Sequence, residues 1–232
     1  MENPQSRTFV LRETLLSQRP DPLAAVAMAL ASFAVTVLSL LAWNDVIGAA
    51  TWMPASRGAV WGGQEYWRAW TTLLVHGDAK HLLSNIFLFF ILGTFLSGYF
   101  GISLVLGAAF FAGGVVNLVV LAGMPLQTQL IGLSGVVFWM GGAWLALYCF
   151  IDRKRSRTQR GIRALGVALA LFMPAEAFDP SVSYRSHLVG FLLGVAAGIL
   201  YFAVFKKSVR AAEVWEAVPE EDETSATTPE SL

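Results

Sequence analysis

Between Lys80 and Asp152 the chain carries no Asp, Glu, Lys or Arg. A water-soluble surface needs charge spread over it, whereas a hydrocarbon interior rejects charge. One bilayer crossing takes about 20 apolar residues, so this run must hold several helices. It breaks at Ser97-Gly98-Tyr99-Phe100-Gly101 and at Gly123-Met124-Pro125, where glycine, proline and short polar residues favour turns. Three spans are expected, over 81–97, 101–122 and 131–151. A further uncharged run, Pro22 to Asn44, predicts a span over 22–44. Arg7, Arg12 and Arg19 ahead of it also suit a signal peptide, but the run is longer than a signal core and no small-residue cleavage site follows cleanly. Beyond the basic stretch 152–163, apolar segments over 164–178 and 186–205 bring the number of spans to six.

Composition supports this reading. Charged residues make up 14% of the chain, against about 25% in soluble proteins, and the mean hydropathy is +0.59. A soluble enzyme, a nucleic-acid binder and a disordered chain are poor fits. The single cysteine, Cys149, forms no internal disulfide. The expected fold class is all-α, a polytopic membrane bundle of six transmembrane helices over 22–205. A segment 1–21 precedes it and a tail 206–232 follows. Twelve of the sixteen Lys and Arg lie in the N-terminal segment, the 152–163 loop and the 206–210 stop. The positive-inside rule puts these, and so both termini, in the cytoplasm. After Arg210 come seven acidic residues and no basic one, which predicts a disordered end. The long loop 44–79 contains Trp52, Trp61, Trp67 and Trp70, residues that prefer the membrane interface, so it is expected on the outer leaflet.

Polar groups inside a bilayer are costly and usually functional. Four stand out: His81, Asn85, Ser134 and His187. His81 and Asn85 are four apart and share a helix face. Because alternate spans run in the same direction, all four fall one or two turns below the outer surface. His187, Gly190, Gly194 and Gly198 form one stripe, and small residues at every fourth position let membrane helices approach closely. Ser134 and Phe138 share a face of the fourth span. Two such faces in contact would bring the Ser134 hydroxyl to His187, the arrangement of a serine activated by an adjacent base. Taken singly, each residue also has an ordinary packing role. Their common depth favours chemistry.

These residues resemble the rhomboid intramembrane serine proteases over roughly 60–205. The similarity rests on Trp67-Arg68 continuing through His76 to His81 and Asn85, on Gly132-x-Ser134-Gly135, and on His187 followed by Gly190 and Gly194. The resemblance implies Ser134 as nucleophile and His187 as general base, a dyad with no aspartate. It implies His81 and Asn85 lining an oxyanion hole with the Ser134 backbone N–H. Gly132 would be the glycine of the nucleophile turn, His76 a structural histidine, and Trp67 and Arg68 a structural pair of the first loop. The chain departs from the pattern at Phe138, often tyrosine, at Ser186, commonly alanine, and at Val182, where glycine is usual. The six spans resemble the simpler bacterial form.

The implied function is hydrolysis of peptide bonds in the transmembrane segments of other membrane proteins, in a bacterial inner membrane, at a site opening to the outer side. No cofactor, metal or nucleic acid is implied, and the oligomeric state stays open. The short segment 164–178, with Pro174, is the candidate lateral gate. The main alternative is an inactive relative that binds membrane clients. A channel is disfavoured because the polar groups crowd one leaflet, and a metalloprotease because the chain has three histidines and no His-Glu-x-x-His.

Overall fold

The computed structural model describes residues 8–172 and 183–218. Strand β1 (Thr8–Glu13) leads into α1 (Leu23–Trp43). Two short helices, α2 (Ala49–Trp52) and α3 (Arg68–Thr71), flank strand β2 (Ala55–Ser56). Then come α4 (Ala79–Phe100), α5 (Ile102–Ala122), strand β3 (Gln129–Leu130), α6 (Ser134–Ile151), α7 (Arg157–Phe172), α8 (Tyr184–Ala211) and strand β4 (Val214–Val218). Among the described residues five helices, α1, α4, α5, α6 and α8, are long and apolar enough to cross a membrane. The protein is an all-helical membrane bundle carrying two small antiparallel ribbons, β1 with β4 and β2 with β3.

Helix ends differ from the hydropathy reading where a cap intervenes. α4 begins at Ala79 because the Asp78 carboxylate accepts the His81 N–H at 2.8 Å, satisfying one of the unpaired donors of a helix start. It also runs through the expected break at Ser97-Gly98. Gly98 is a contact point, where a side chain would meet Pro20, and the turn waits for Gly101 at φ +99°. The basic stretch 152–163, expected as loop, is helical from Arg157. Ser156 and Gln159 form a reciprocal cap, each side chain bonding the other's backbone N–H at 3.2 Å, a capping box that draws the arginines into α7. The expected span 164–178 therefore overlaps α7, and its remainder, 173–178 with Pro174, lies outside the described residues.

The tail is the larger correction. Residues 206–232 were expected as one disordered end. Instead α8 continues to Ala211, bending at Phe205, and β4 pairs with β1 from Thr8–Val218 to Glu13–Val214. Arg12 pairs with Glu216 across the ribbon, and Arg210 and Arg153 pair with Glu213. Glu213 and Glu216 thus find basic partners, and the segments 8–13 and 214–218 lie together. Residues 219–232 lie outside the described residues.

α6 is the centre of the bundle, with Val136, Val137, Met140 and Ile151 all nearly inaccessible. α8 lies on it in the most extensive helix pairing. A methyl group at Gly190, Gly194 or Gly198 would overlap the carbonyl oxygens of Gly135, Trp139 or Ala143, and one at Gly142 would overlap that of Phe191. The two backbones touch directly along three turns. Gly194→Ala should therefore destabilise the protein by about 1–3 kcal/mol, the cost of overpacking. Gly107→Ala, at a helical glycine with nothing within 4 Å, should leave stability unchanged or raise it by up to ~1 kcal/mol. Thermal unfolding of both variants in detergent checks the contrast.

Candidate functional site

The site is built where α4, α6 and α8 begin. Ser134 is the first residue of α6, His81 the third of α4, Asn85 the seventh of α4, and His187 the fourth of α8. Ser134, His81 and His187 are half-buried, and Asn85 is buried. The backbone contact of Gly135 with Gly190 puts the residue after Ser134 against the helix turn that carries His187. Phe138, one turn along α6 from Ser134, stacks flat on the His187 ring, with centroids 4.0 Å apart and planes 9° from parallel. Tyr184 meets the same imidazole edge-on at 6.2 Å. Among the described residues no hydrogen bond joins Ser134 to His187.

The departures at Phe138 and Ser186 have visible consequences. Phenylalanine supplies the stacking plane for the imidazole without a hydroxyl. Ser186 is buried, and its hydroxyl lies 2.9 Å from that of Ser183, which also accepts the Ser186 N–H and so caps α8. Val182 lies outside the described residues.

The turn before Ser134 is held from behind. Gly132 takes φ +107°, open to glycine and strained for other residues. A side chain there would meet the His81 ring, whose Nε2 lies 2.8 Å from that position. The Gly132 N–H donates to the Thr72 carbonyl at 3.0 Å, and the Thr72 hydroxyl donates to the Leu130 carbonyl. His76 completes the cradle. Its Nε2 accepts the Leu133 N–H at 3.3 Å, and a backbone N–H can only donate, so the proton of the neutral ring is on Nδ1. Nδ1 lies 3.0 Å from the Ser39 hydroxyl, which donates onward to the Leu74 carbonyl at 3.1 Å. Trp43 donates to the His76 carbonyl at 2.6 Å. Ser39 and Trp43 belong to α1, which sequence reading treated as a plain span. The missed signal was Ser32, Thr36 and Ser39, three hydroxyls spaced four and three apart on one helix face.

His81 and His76 meet edge-to-face at 5.1 Å, and the Asn85 amide donates to the His81 carbonyl at 3.0 Å. Its second amide hydrogen is not used in that bond. Trp67 and Arg68 serve the loop architecture. Arg68 lies over the Trp67 ring, pairs with Glu65, and donates to the carbonyls of Thr51, Trp52 and Pro54 at 2.7–3.2 Å. Trp61 and Trp67 are exposed, whereas Trp70 packs against Gly114 of α5 and is part of the bundle.

Burial, then the neighbouring His81 ring, lowers His76 to about 3, with Asp78 pulling the other way. Between pH 6.5 and about 3 the unfolded chain holds a proton at this position that the folded chain does not. Stability from this group is therefore full above pH 6.5 and falls as pH drops, by at most about 1.4 kcal/mol per unit. Replacing His76 by Gln should lower stability at pH 7 and flatten the slope between pH 6.5 and 4. Ser39→Ala should also lower stability while preserving the slope. Unfolding midpoints measured across that range check both.

Residues 63–204 match the Rhomboid domain. No curated protein matches the chain.

Proposed function

The chain belongs to the Rhomboid family, and on that premise we propose that it is an intramembrane serine endopeptidase acting through Ser134 and His187. The observation that carries this reading is the flat stack of His187 on Phe138, one turn from Ser134 on the same helix face. The stack fixes the plane of the imidazole, and the Gly135–Gly190 contact fixes its distance from α6. The serine hydrogen bond that proton transfer needs would then form with substrate in place, as catalytic bonds commonly tighten only once substrate is bound.

In the proposed reaction His187 takes the Ser134 proton as the serine oxygen attacks the substrate carbonyl. The tetrahedral oxyanion receives the Ser134 backbone N–H and the free hydrogen of the Asn85 amide, with His81 beside them. Collapse expels the amine, which takes the proton from His187, and leaves an acyl-enzyme that water hydrolyses. Histidine suits this exchange because its ordinary pKa of about 6.5 lets it accept and return a proton near neutrality. The substrate is a transmembrane segment of another membrane protein. Its helix must unwind to free a carbonyl, so small and helix-breaking residues should favour cleavage. The positive-inside rule supports both chain ends on the cytoplasmic side and the site on the outer side, and the resemblance to the simpler bacterial form supports a bacterial inner membrane.

The alternative, an inactive relative that binds membrane clients, has less support because the serine, the histidine and the stacking ring are all present. A fluorophosphonate probe should label the detergent-purified protein, and labelling should fall to background in Ser134→Ala and His187→Ala. Equal labelling of Ser134→Ala would reject the serine as nucleophile. Asn85→Ala should keep the fold and slow cleavage of a co-expressed single-pass substrate by about 10²-fold or more, the usual effect of removing one oxyanion donor. Loss of full-length substrate over time measures it.

A further inference from the structure

At the end of the bundle away from Ser134 lies a cavity of about 330 Å³. From His81 to Tyr99, α4 rises about 27 Å at 1.5 Å per residue, so the cavity sits at the opposite boundary of the hydrocarbon layer. One wall is aromatic. Trp144 of α6 packs on Phe95 and Tyr99 of α4 with ring centroids 5.6 and 6.0 Å away, and Tyr148 extends the wall by a turn. The rim is cationic, with Lys154 and Arg155 from the link between α6 and α7 and Arg163 from α7 itself. The segment before α1 closes the far side with Thr14 and Ser17.

Among the described residues the charges do not cancel. Asp152, the one acidic residue lining the cavity, is bound to Arg155. Lys154 donates to the neutral Ser17 hydroxyl at 2.9 Å. Arg163 is exposed and makes no hydrogen bond or ion pair among the described residues. Two positive charges thus converge from separate elements on a cleft whose floor is tryptophan and tyrosine. An ordinary basic loop needs neither the cleft nor the aromatic wall. A free anion would use the cations but leave the aromatic face wet. A group that is anionic at its tip and apolar behind satisfies both, and it is abundant at this depth of a bilayer.

We propose that this cavity binds the headgroup of an anionic phospholipid, its phosphate on Lys154 and Arg163 and its glycerol-ester portion along Trp144 and Tyr99. The bound lipid would tie the start of α7 to α4, α6 and the segment before α1, a clamp independent of the Ser134 chemistry.

The test uses the full chain in a neutral detergent and follows its melting temperature on addition of phosphatidylglycerol, phosphatidylcholine or millimolar inorganic phosphate. Phosphatidylglycerol should raise the midpoint by several degrees, since a ligand held only by the folded state stabilises it by mass action, and the other two should not. The shift should vanish in Lys154→Gln/Arg163→Gln and persist in Lys206→Gln/Lys207→Gln, which removes two exposed charges from the same end of the bundle. Arg163→Gln alone removes no hydrogen bond or ion pair among the described residues, so it tests the site even if the double variant fails to fold, and it should lose at least half of the shift. Three results would overturn the proposal: an equal shift with phosphatidylcholine, a shift retained in the Lys154 and Arg163 variants, or a loss just as large in the Lys206 and Lys207 variant. A full shift with inorganic phosphate would also overturn it, by showing a free-anion site instead of a lipid site.

Discussion

The direct contact of two helix backbones is the constraint on which this bundle rests. Lipid tails are as apolar as leucine, so apolar burial gives membrane helices little reason to associate, and close packing has to supply it. α6 and α8 obtain it by removing side chains from their common face. Gly135 meets Gly190, Trp139 meets Gly194, Gly142 meets Phe191, and Ala143 meets Gly198. The contact leaves almost no freedom to slide, because a shift of one residue would drive a side chain into a carbonyl. The register it fixes places His187 against Phe138, a turn from Ser134. The position of the imidazole is a consequence of packing spread over three turns.

A second constraint acts from the other side of Ser134. The Leu133 carbonyl accepts the N–H groups of Val136 and Val137 in the helix that follows, while other hydrogen bonds of the turn 130–133 run backward in sequence to Thr72 and His76. His76 is in turn anchored by Ser39 and Trp43 of α1. α1 precedes the stretch 63–204 that defines the family, yet it closes the chain of bonds ending at the residue before Ser134. His76 can do this only as the neutral tautomer. A proton on Nε2 would face the Leu133 N–H, donor against donor, and burial holds that proton off.

The bundle was legible in the sequence because lipid leaves a coarse and strong signal. Long uncharged runs between Asp21 and Asp45 and between Lys80 and Asp152 mark α1 and the three helices α4 to α6. The glycine stripe of α8 was legible for the same reason, since spacing of three and four is a local property. The ends of the helices were less so. Asp78 and Ser156 extend α4 and α7 by hydrogen bonds that hydropathy does not weigh. The β1–β4 ribbon was not legible at all. It joins segments some two hundred positions apart, and its acidic half looks like a solvated tail until Arg12, Arg153 and Arg210 are set beside it. Ser39 was missed because a hydroxyl in a membrane helix usually bonds its own backbone, as Thr36 does to Ser32. Only the fold reveals that Ser39 faces an imidazole instead.

Helix direction explains why the two ends of the molecule differ so strongly in chemistry. α4, α6 and α8 all begin beside Ser134, so the N–H-rich first turns and the positive ends of three helix dipoles converge on one depth. A negative charge at that depth is favoured before any side chain is counted. At the opposite end the same helices expose carbonyl oxygens and negative dipole ends, and basic residues meet them. Arg160 donates to the Cys149 carbonyl and Arg210 to that of Phe150, both in the last turn of α6. The arginines that announce topology in the sequence are thus also the C-terminal caps of the central helix. One arrangement of parallel and antiparallel helices therefore accounts for the asymmetry of charge along the chain, for the position of the polar residues, and for a cation-rimmed cleft at the end of the bundle opposite Ser134.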